Sequence, residues 1–172
     1  MTATTTLMQD RSAQHYLAGQ YVPGSGARAA IIDPATEAEI GCYAEASEAE
    51  MEQAIALANQ AQKGWWALSA LERAEALHRV ADQLAKLSAS VGECLTREMG
   101  KPYREAEWEA GASASAFRYY AELARQEQGR VAGPAIAGQL HMTIKEPLGT
   151  VVSIVPYNFP VLLFGWQAAA AL

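Results

Sequence analysis

The sharpest chemical signal in the 172 residues lies near the C-terminal end, where Val151-Val-Ser-Ile-Val155 runs into Pro156-Tyr-Asn-Phe-Pro160 and then into an apolar stretch. The β-branched run has the composition of a strand buried on both faces of a parallel sheet. Pro160 suits the first turn of a helix, where its missing N–H is no loss. In open α/β sheets, ligands bind beyond the carboxyl ends of the strands, where helix N-termini present unpaired N–H groups. Asn158 falls at that place. Its neutral amide can donate to an oxygen that gains negative charge during a reaction, and one such donor typically lowers a barrier by ~3 kcal/mol. Taken locally, Asn158 also has a plainer role open to it, as the cap of the helix that follows.

The other chemistry-bearing residues read differently. Cys42 follows a strand-like Ile40-Gly41 and Cys94 lies in a helical Glu93-Cys-Leu-Thr96 context, so both read as small buried hydrophobes. His15, His78 and His141 are far apart with no partners at metal-ligand spacing. Glu105, Glu107 and Glu109 read as a solvated helix face rather than an acid/base pair. Gly24-Ser-Gly-Ala-Arg-Ala29 formally fits G-x-G-x-x-A, but Ile31-Ile-Asp-Pro34 follows where a phosphate loop needs a helix.

These residues need elements to position them. Tyr16-Leu-Ala-Gly-Gln-Tyr-Val22 predicts a hairpin around Ala18-Gly19, and Ile31-Ile32, Asp33-Pro34 and Ile40-Gly-Cys-Tyr43 repeat strand, turn, strand. Ser47-Glu-Ala-Glu50 is a capping box that opens a helix with Met51, Ala54, Ile55 and Ala58 on one face and Gly64 as its stop. Ser69-Ala-Leu-Glu72 opens a second, with Leu77, Val80, Ala81, Leu84, Leu87 and Val91 recurring at three and four. Gly100-Lys-Pro102 breaks it. A third helix is predicted to carry Trp108, Ala112, Ala116, Tyr119 and Leu123 on one stripe and to end near Gly129. Its small-residue run Gly111-Ala-Ser-Ala-Ser-Ala116 predicts close packing on both sides. Tyr119-Tyr120 is expected to face the core on one side and an interface on the other. Leu140, Met142 and Ile144 then alternate with polar residues as a half-exposed strand whose edge needs covering, for which a second subunit is one solution.

Composition bounds the function class. The net charge is −6 with scattered basic residues, which lacks the electrostatic footprint of phosphate-backbone binding. All but two of the formal charges lie at or before Arg130; beyond it only Lys145 and Glu146 are charged. The chain stops on an uncapped apolar run, so the sequence reads as the front part of something longer. The N-terminus has no signal-peptide pattern, and two cysteines make no disulfide framework, which together point to a reduced, cytoplasmic setting. The uncharged stretch 147–172 has bilayer-sized length, but Pro156, Asn158 and Pro160 interrupt it, which argues against a membrane span.

Lys145-Glu-Pro-Leu-Gly-Thr-Val-Val-Ser-Ile-Val-Pro-Tyr-Asn-Phe-Pro160, followed by Trp166, resembles the (R/K)EPxGVVxxIxPWNFP signature of the aldehyde dehydrogenase superfamily. Upstream, the 16–22 hairpin resembles its INGEWV segment and Asp33-Pro-Ala-Thr-Glu37 its NPATGE turn. Trp66 with Glu72-Arg73, Glu98-Met-Gly-Lys-Pro102 and Arg118-Tyr-Tyr-Ala121 have counterparts in order and spacing. Tyr157 stands for the usual Trp, and Ala18 for the usual Asn.

The resemblance implies an α/β fold: the N-terminal part of a Rossmann-like cofactor domain with N-terminal hairpins, long helices and one oligomerisation-arm strand. It implies a disordered terminus over residues 1–14, hairpins and helices over 15–138, the arm strand over 139–147, and the first strand-turn-helix of the nucleotide sheet over 148–172. It implies oxidation of an aldehyde to a carboxylate with NAD or NADP through a cysteine thiohemiacetal. Asn158 matches the family's oxyanion donor. Ile154, Val155, Pro156 and Tyr157 match positions lining the nucleotide crevice. Phe159, Leu163 and Trp166 match positions lining the aldehyde tunnel, with Trp108 and Ala112 as further candidates. A homo-oligomer, dimer or tetramer, is implied for the full-length form. The family's nucleophilic Cys, general base and ribose-binding residues match nothing before Leu172, so the 172 residues alone are expected to be inactive. The alternative is a truncated, non-catalytic helical binding or assembly module.

Overall fold

The computed structural model describes residues 12–126 and 129–172. Among the described residues, seven short strands and four helices follow in the order β1 (Ser12–Ala13), β2 (His15–Leu17), β3 (Gln20–Val22), β4 (Arg28–Ile32), β5 (Glu39–Ala44), α1 (Glu48–Ala67), α2 (Ala70–Met99), α3 (Tyr103–Leu123), β6 (Gly129–Ala132), β7 (His141–Ile144) and α4 (Pro160–Ala171). Residues 1–11, most of the expected disordered terminus, lie outside the described residues, whereas Ser12–Ala13 pairs in parallel with β5.

The first hairpin pairs His15 with Val22 and Leu17 with Gln20. Its two loop residues have positive φ, 48° at Ala18 and 85° at Gly19, the mirror-image turn that matches strand twist. Ala18 sits there at a steric cost, because its Cβ crowds the backbone in the left-handed region. Ala18→Asn is expected to raise stability by roughly 0.5–1 kcal/mol, since Asn tolerates that region better. Thermal unfolding reads the gain; an unchanged or lower midpoint counts against it. β4 and β5 pair antiparallel around a turn in which Asp33 accepts from the backbone N–H of Ala35 (2.8 Å) and Glu37 (2.8 Å).

Both capping boxes form. The Ser47 hydroxyl accepts from the Glu50 N–H, and the Glu50 carboxylate accepts from the Ser47 N–H at 2.7 Å. Ser69 and Glu72 repeat the pattern. The Ser47 N–H, followed by the Ser25 and Ser47 hydroxyls, holds the Glu50 carboxyl down at about 2, against an ordinary 4.5. The folded value lies below the unfolded one, so this stabilisation is complete above pH 4.5 and lost as pH falls through about 2. Ser47→Ala is expected to lower stability by ~1 kcal/mol near neutral pH and to flatten that acid limb. Denaturant titrations between pH 2 and 7 test both; an acid limb identical in the variant would rule out the box as its source.

α1 runs through Gly64 to Ala67 and ends with the Leu68 N–H on the Trp65 carbonyl, one turn beyond the expected stop. Gly in a helix interior costs only about 1 kcal/mol and does not by itself end one. Gly100 does end α2, at φ 78°, a left-handed C-terminal position that favours glycine. Pro102 then opens α3.

The core is a three-helix stack with α3 in the middle. Ala74, Leu77 and Ala81 of α2 meet Ala114, Phe117 and Ala121 of α3, and Ala169 of α4 closes the cluster. The small-residue run does let two helices approach: a Cβ on Gly165 of α4 would lie 2.9 Å from the Ser113 Cβ of α3. The buried stripe of α3 differs from the expected one. Ala106, Glu109, Ala110, Ser113, Ala114, Phe117 and Ala121 face inward, while Trp108 (59 %) and Tyr119 (60 %) are exposed. Alanine and serine fill the narrow gap between helices, leaving the aromatic face outside. α3 stops at Leu123, and Gly129 begins β6, which pairs antiparallel with β7. Val131, Met142 and Ile144 on this ribbon are exposed.

Residues 151–155 are not a buried strand here. They have no ladder partner and no regular secondary structure, and Val152 and Ile154 are exposed. A β-branched run becomes an interior strand only where neighbouring strands supply hydrogen bonds and cover; no such neighbour is among the described residues. Among those residues, no helix is long and apolar enough to cross a membrane.

Candidate active site

The corner Gly100-Lys101-Pro102 between α2 and α3 points one side chain inward. Lys101 is 7 % exposed, and its ammonium donates to the Glu109 carboxylate (2.5 Å) and to the backbone carbonyl of Asn158 (2.9 Å). The same nitrogen lies 3.5 Å from the centre of the Phe159 ring, close enough for a cation–π contact. Glu109, with no exposed surface, turns its other oxygen to the N–H groups of Val161 (2.8 Å) and Leu162 (3.0 Å) in the first turn of α4. A carboxylate there satisfies orphan donors and complements the positive end of the helix dipole.

Glu109 is thus not part of a solvated acidic face. It projects from the side of α3 that also carries Ala106, Ala110 and Ser113, three and four residues away and in phase with them. That phase was the available signal. The charge of the residue type masked it.

The cap of α4 also corrects the plainer reading of Asn158. The N-cap position is Phe159, with no side-chain cap bond, and Pro160 begins the helix. The carboxylate of Glu109 does the capping from another helix. The Asn158 side chain is exposed and has no hydrogen-bond partner among the described residues, while its backbone is tethered by Lys101. An amide with no protein partner on a tethered backbone leaves a neutral donor free for an added oxygen.

The segment before this turn is anchored to α4 through Gln167, which hydrogen-bonds the Ser153 hydroxyl and donates to the Ile154 carbonyl (3.4 Å). Ile154 (83 %) and Tyr157 (85 %) are almost fully exposed, Pro156 is exposed and Val155 is half-buried. An open cavity of ≈ 710 Å³ between α3 and α4 is lined by Trp108, Ala112, Ala116, Tyr119, Leu162 and Trp166, among others; Asn158 is not one of its lining residues. The structure therefore brings Trp166 together with Trp108 and Ala112. Phe159 and Leu163 do not line that cavity: Phe159 covers the Lys101 ammonium, and Leu163 is half-buried one turn on.

Neither cysteine joins this arrangement. Cys42 sits in β5 beside the Arg28 guanidinium (3.3 Å). Cys94 lies within α2, where burial, then the charges of Glu98 and Glu93, push its thiol up, away from the nucleophilic thiolate. His15, His78 and His141 lie on β2, α2 and β7, and His78 pairs with Glu122 at 2.9 Å. Gly24 and Gly26 lead into strand β4 and pack against the Glu45 carbonyl, so this segment opens no helix.

Fold and site together define a helix-rich α/β chain with an exposed amide at the turn before α4 and an aromatic-walled cavity between α3 and α4. Residues 21–172 match the model of the aldehyde dehydrogenase family, and the chain belongs to that family. It is 37 % identical over 147 residues to the NADP-dependent glyceraldehyde-3-phosphate dehydrogenase of Streptococcus equinus, covering 83 % of this chain and 31 % of the relative. It is 34 % identical over 160 residues to the alpha-ketoglutaric semialdehyde dehydrogenase of Bacillus subtilis (strain 168), covering 92 % of this chain and 33 % of the relative. The crystal structure of betaine aldehyde dehydrogenase from Staphylococcus aureus in complex with NAD+ superposes with a TM-score of 0.90 at 26 % identity, over 98 % of this chain and 34 % of that one. The chain spans about a third of the length of the relatives it matches.

Proposed function

We propose that this chain supplies the oxyanion donor, one wall of the nucleotide crevice and part of the aldehyde tunnel to an NAD(P)-dependent oxidation of an aldehyde to a carboxylate. The observation that carries the reading is the unspent amide of Asn158 at the tethered turn before α4. Attack of a thiolate on an aldehyde places negative charge on the former carbonyl oxygen, and a neutral amide donor stabilises that charge without giving up a proton. Neither cysteine of these 172 residues serves as the nucleophile in this reading: Cys42 lies in β5 beside Arg28, and burial keeps the Cys94 thiol from ionising readily.

Ile154, Val155, Pro156 and Tyr157 fit a nucleotide wall, because the exposed Ile154, Pro156 and Tyr157 with the half-buried Val155 form an apolar segment anchored to α4 that can pack on a base or nicotinamide ring. These residues would hold the nucleotide, which when bound would supply the hydride acceptor. Trp166, with Trp108 and Ala112, walls the aldehyde side; Phe159 and Leu163, the other two tunnel positions, stand outside that cavity at the start of α4 and would reach the aldehyde only from beyond it. The exposed β6–β7 ribbon serves subunit assembly in a dimer or tetramer, its open edge covered by another copy. Turnover of a full-length enzyme carrying this chain, with and without the Asn158 amide, tests the proposal.

A further inference from the structure

We infer that Lys101 and Glu109 are positioning residues for the oxyanion donor, an inference that rests on the reading of Asn158 given above. The Lys101 ammonium has three contacts, and two of them, the Asn158 carbonyl and the Phe159 ring, belong to the residues flanking the peptide that follows Asn158. The third is Glu109, whose remaining oxygen holds the first turn of α4. One buried pair therefore fixes both the peptide that carries the donor and the helix that begins two residues later. The donor's own side chain is exposed and has no protein partner among the described residues, so its aim depends on the backbone beneath it. Oxyanion stabilisation needs its donor held within about half an ångström of the productive place, and a misplacement of about 1 Å costs on the order of 100-fold in rate.

The charges are also matched to this task. An unpaired carboxylate behind the hole would oppose the developing oxyanion, and an unpaired ammonium would pull the Asn158 carbonyl out of line. Paired, they hold geometry and contribute no net charge. Burying such a pair is weak evidence for stability, because desolvation offsets much of the attraction; geometric registry is the role that accounts for its position.

Lys101→Met combined with Glu109→Gln separates positioning from simple folding support. Glutamine still accepts from the Val161 and Leu162 N–H groups through its amide oxygen, and methionine fills the lysine volume, so the helix cap survives while the tether to Asn158 is lost. In a full-length enzyme carrying this chain, single-turnover NAD(P)H formation is expected to fall 10- to 100-fold, with the nucleotide KM changed less than twofold. In an Asn158→Ala background the same pair of substitutions is expected to have no further effect, because the group being aimed is already gone. A rate within twofold of the parent, or an equal loss in both backgrounds, would overturn the inference. Should the double variant not fold, Lys101→Arg gives the reading: the bulkier fork displaces the carbonyl, so a severalfold loss confined to the Asn158 background supports positioning, and an unaltered rate overturns it. Unaltered turnover in Asn158→Ala alone sinks the oxyanion reading itself, whereas a loss there without a loss in the pair variant sinks only the present inference.

Discussion

Asn158→Ala in a full-length enzyme carrying this chain is expected to lower turnover by 10²- to 10³-fold, about 3–4 kcal/mol of barrier, with nucleotide binding little changed. The size follows from what the amide does in this structure. It caps nothing, since Phe159 occupies the cap position and Glu109 holds the helix N–H groups. Removing it therefore takes away no folding interaction, and the variant is expected to keep its thermal midpoint. The loss falls on a charge that exists only in the transition state, so it reduces kcat and kcat/KM together rather than raising KM. Pre-steady-state NAD(P)H formation checks this, with aldehyde and nucleotide both saturating. Unchanged single-turnover rates would remove Asn158 from the chemistry.

Glu109→Ala should produce the largest stability loss, about 3–5 kcal/mol. The mutation strands the Lys101 ammonium, whose side chain is 5 % exposed, and leaves the Val161 and Leu162 N–H groups without an acceptor at a buried helix start. A charge without a partner in that environment costs more than the pair ever contributed, because the desolvation penalty remains when the attraction is gone. The double change Lys101→Met with Glu109→Leu is accordingly expected to lose less than Glu109→Ala alone. Urea denaturation of the three proteins measures both values. A single variant as stable as the parent, or a double variant less stable than the single, would contradict the buried-pair account.

Glu109 also shows where sequence reading runs out. Its phase on α3 put it with Ala106 and Ser113, yet a glutamate at a core-facing position is credible only once its partners are known. Those partners lie eight residues earlier, at Lys101, and more than fifty later, at the start of α4. Residues 151–155 make the converse point. Their β-branched composition announces an interior strand, but a strand is a property of a pair, and the described residues hold no mate for it. The expected stripe of Trp108, Tyr119 and Leu123 on α3 followed from hydrophobicity; the close approach at Gly165 and Ser113 instead turned the small residues inward and left the aromatics to wall a cavity.

What the sequence determined by itself is local. The capping boxes at Ser47 and Ser69, the positive-φ turn at Ala18-Gly19, the break at Gly100-Lys101-Pro102 and Pro160 at the start of α4 each depend on a few neighbouring residues, and each stands where the sequence placed it. The run from Lys145 to Pro160, with the matching segments upstream of it, likewise pointed to the family whose model matches residues 21–172. The tertiary structure decided which polar groups meet. Whether Asn158 caps or stays unspent, whether Glu109 is solvated or buried, and which face of α3 looks inward depend on helices brought together from distant positions. Desolvation, hydrogen-bond pairing and close packing at their contact outweigh the preference of any single residue type.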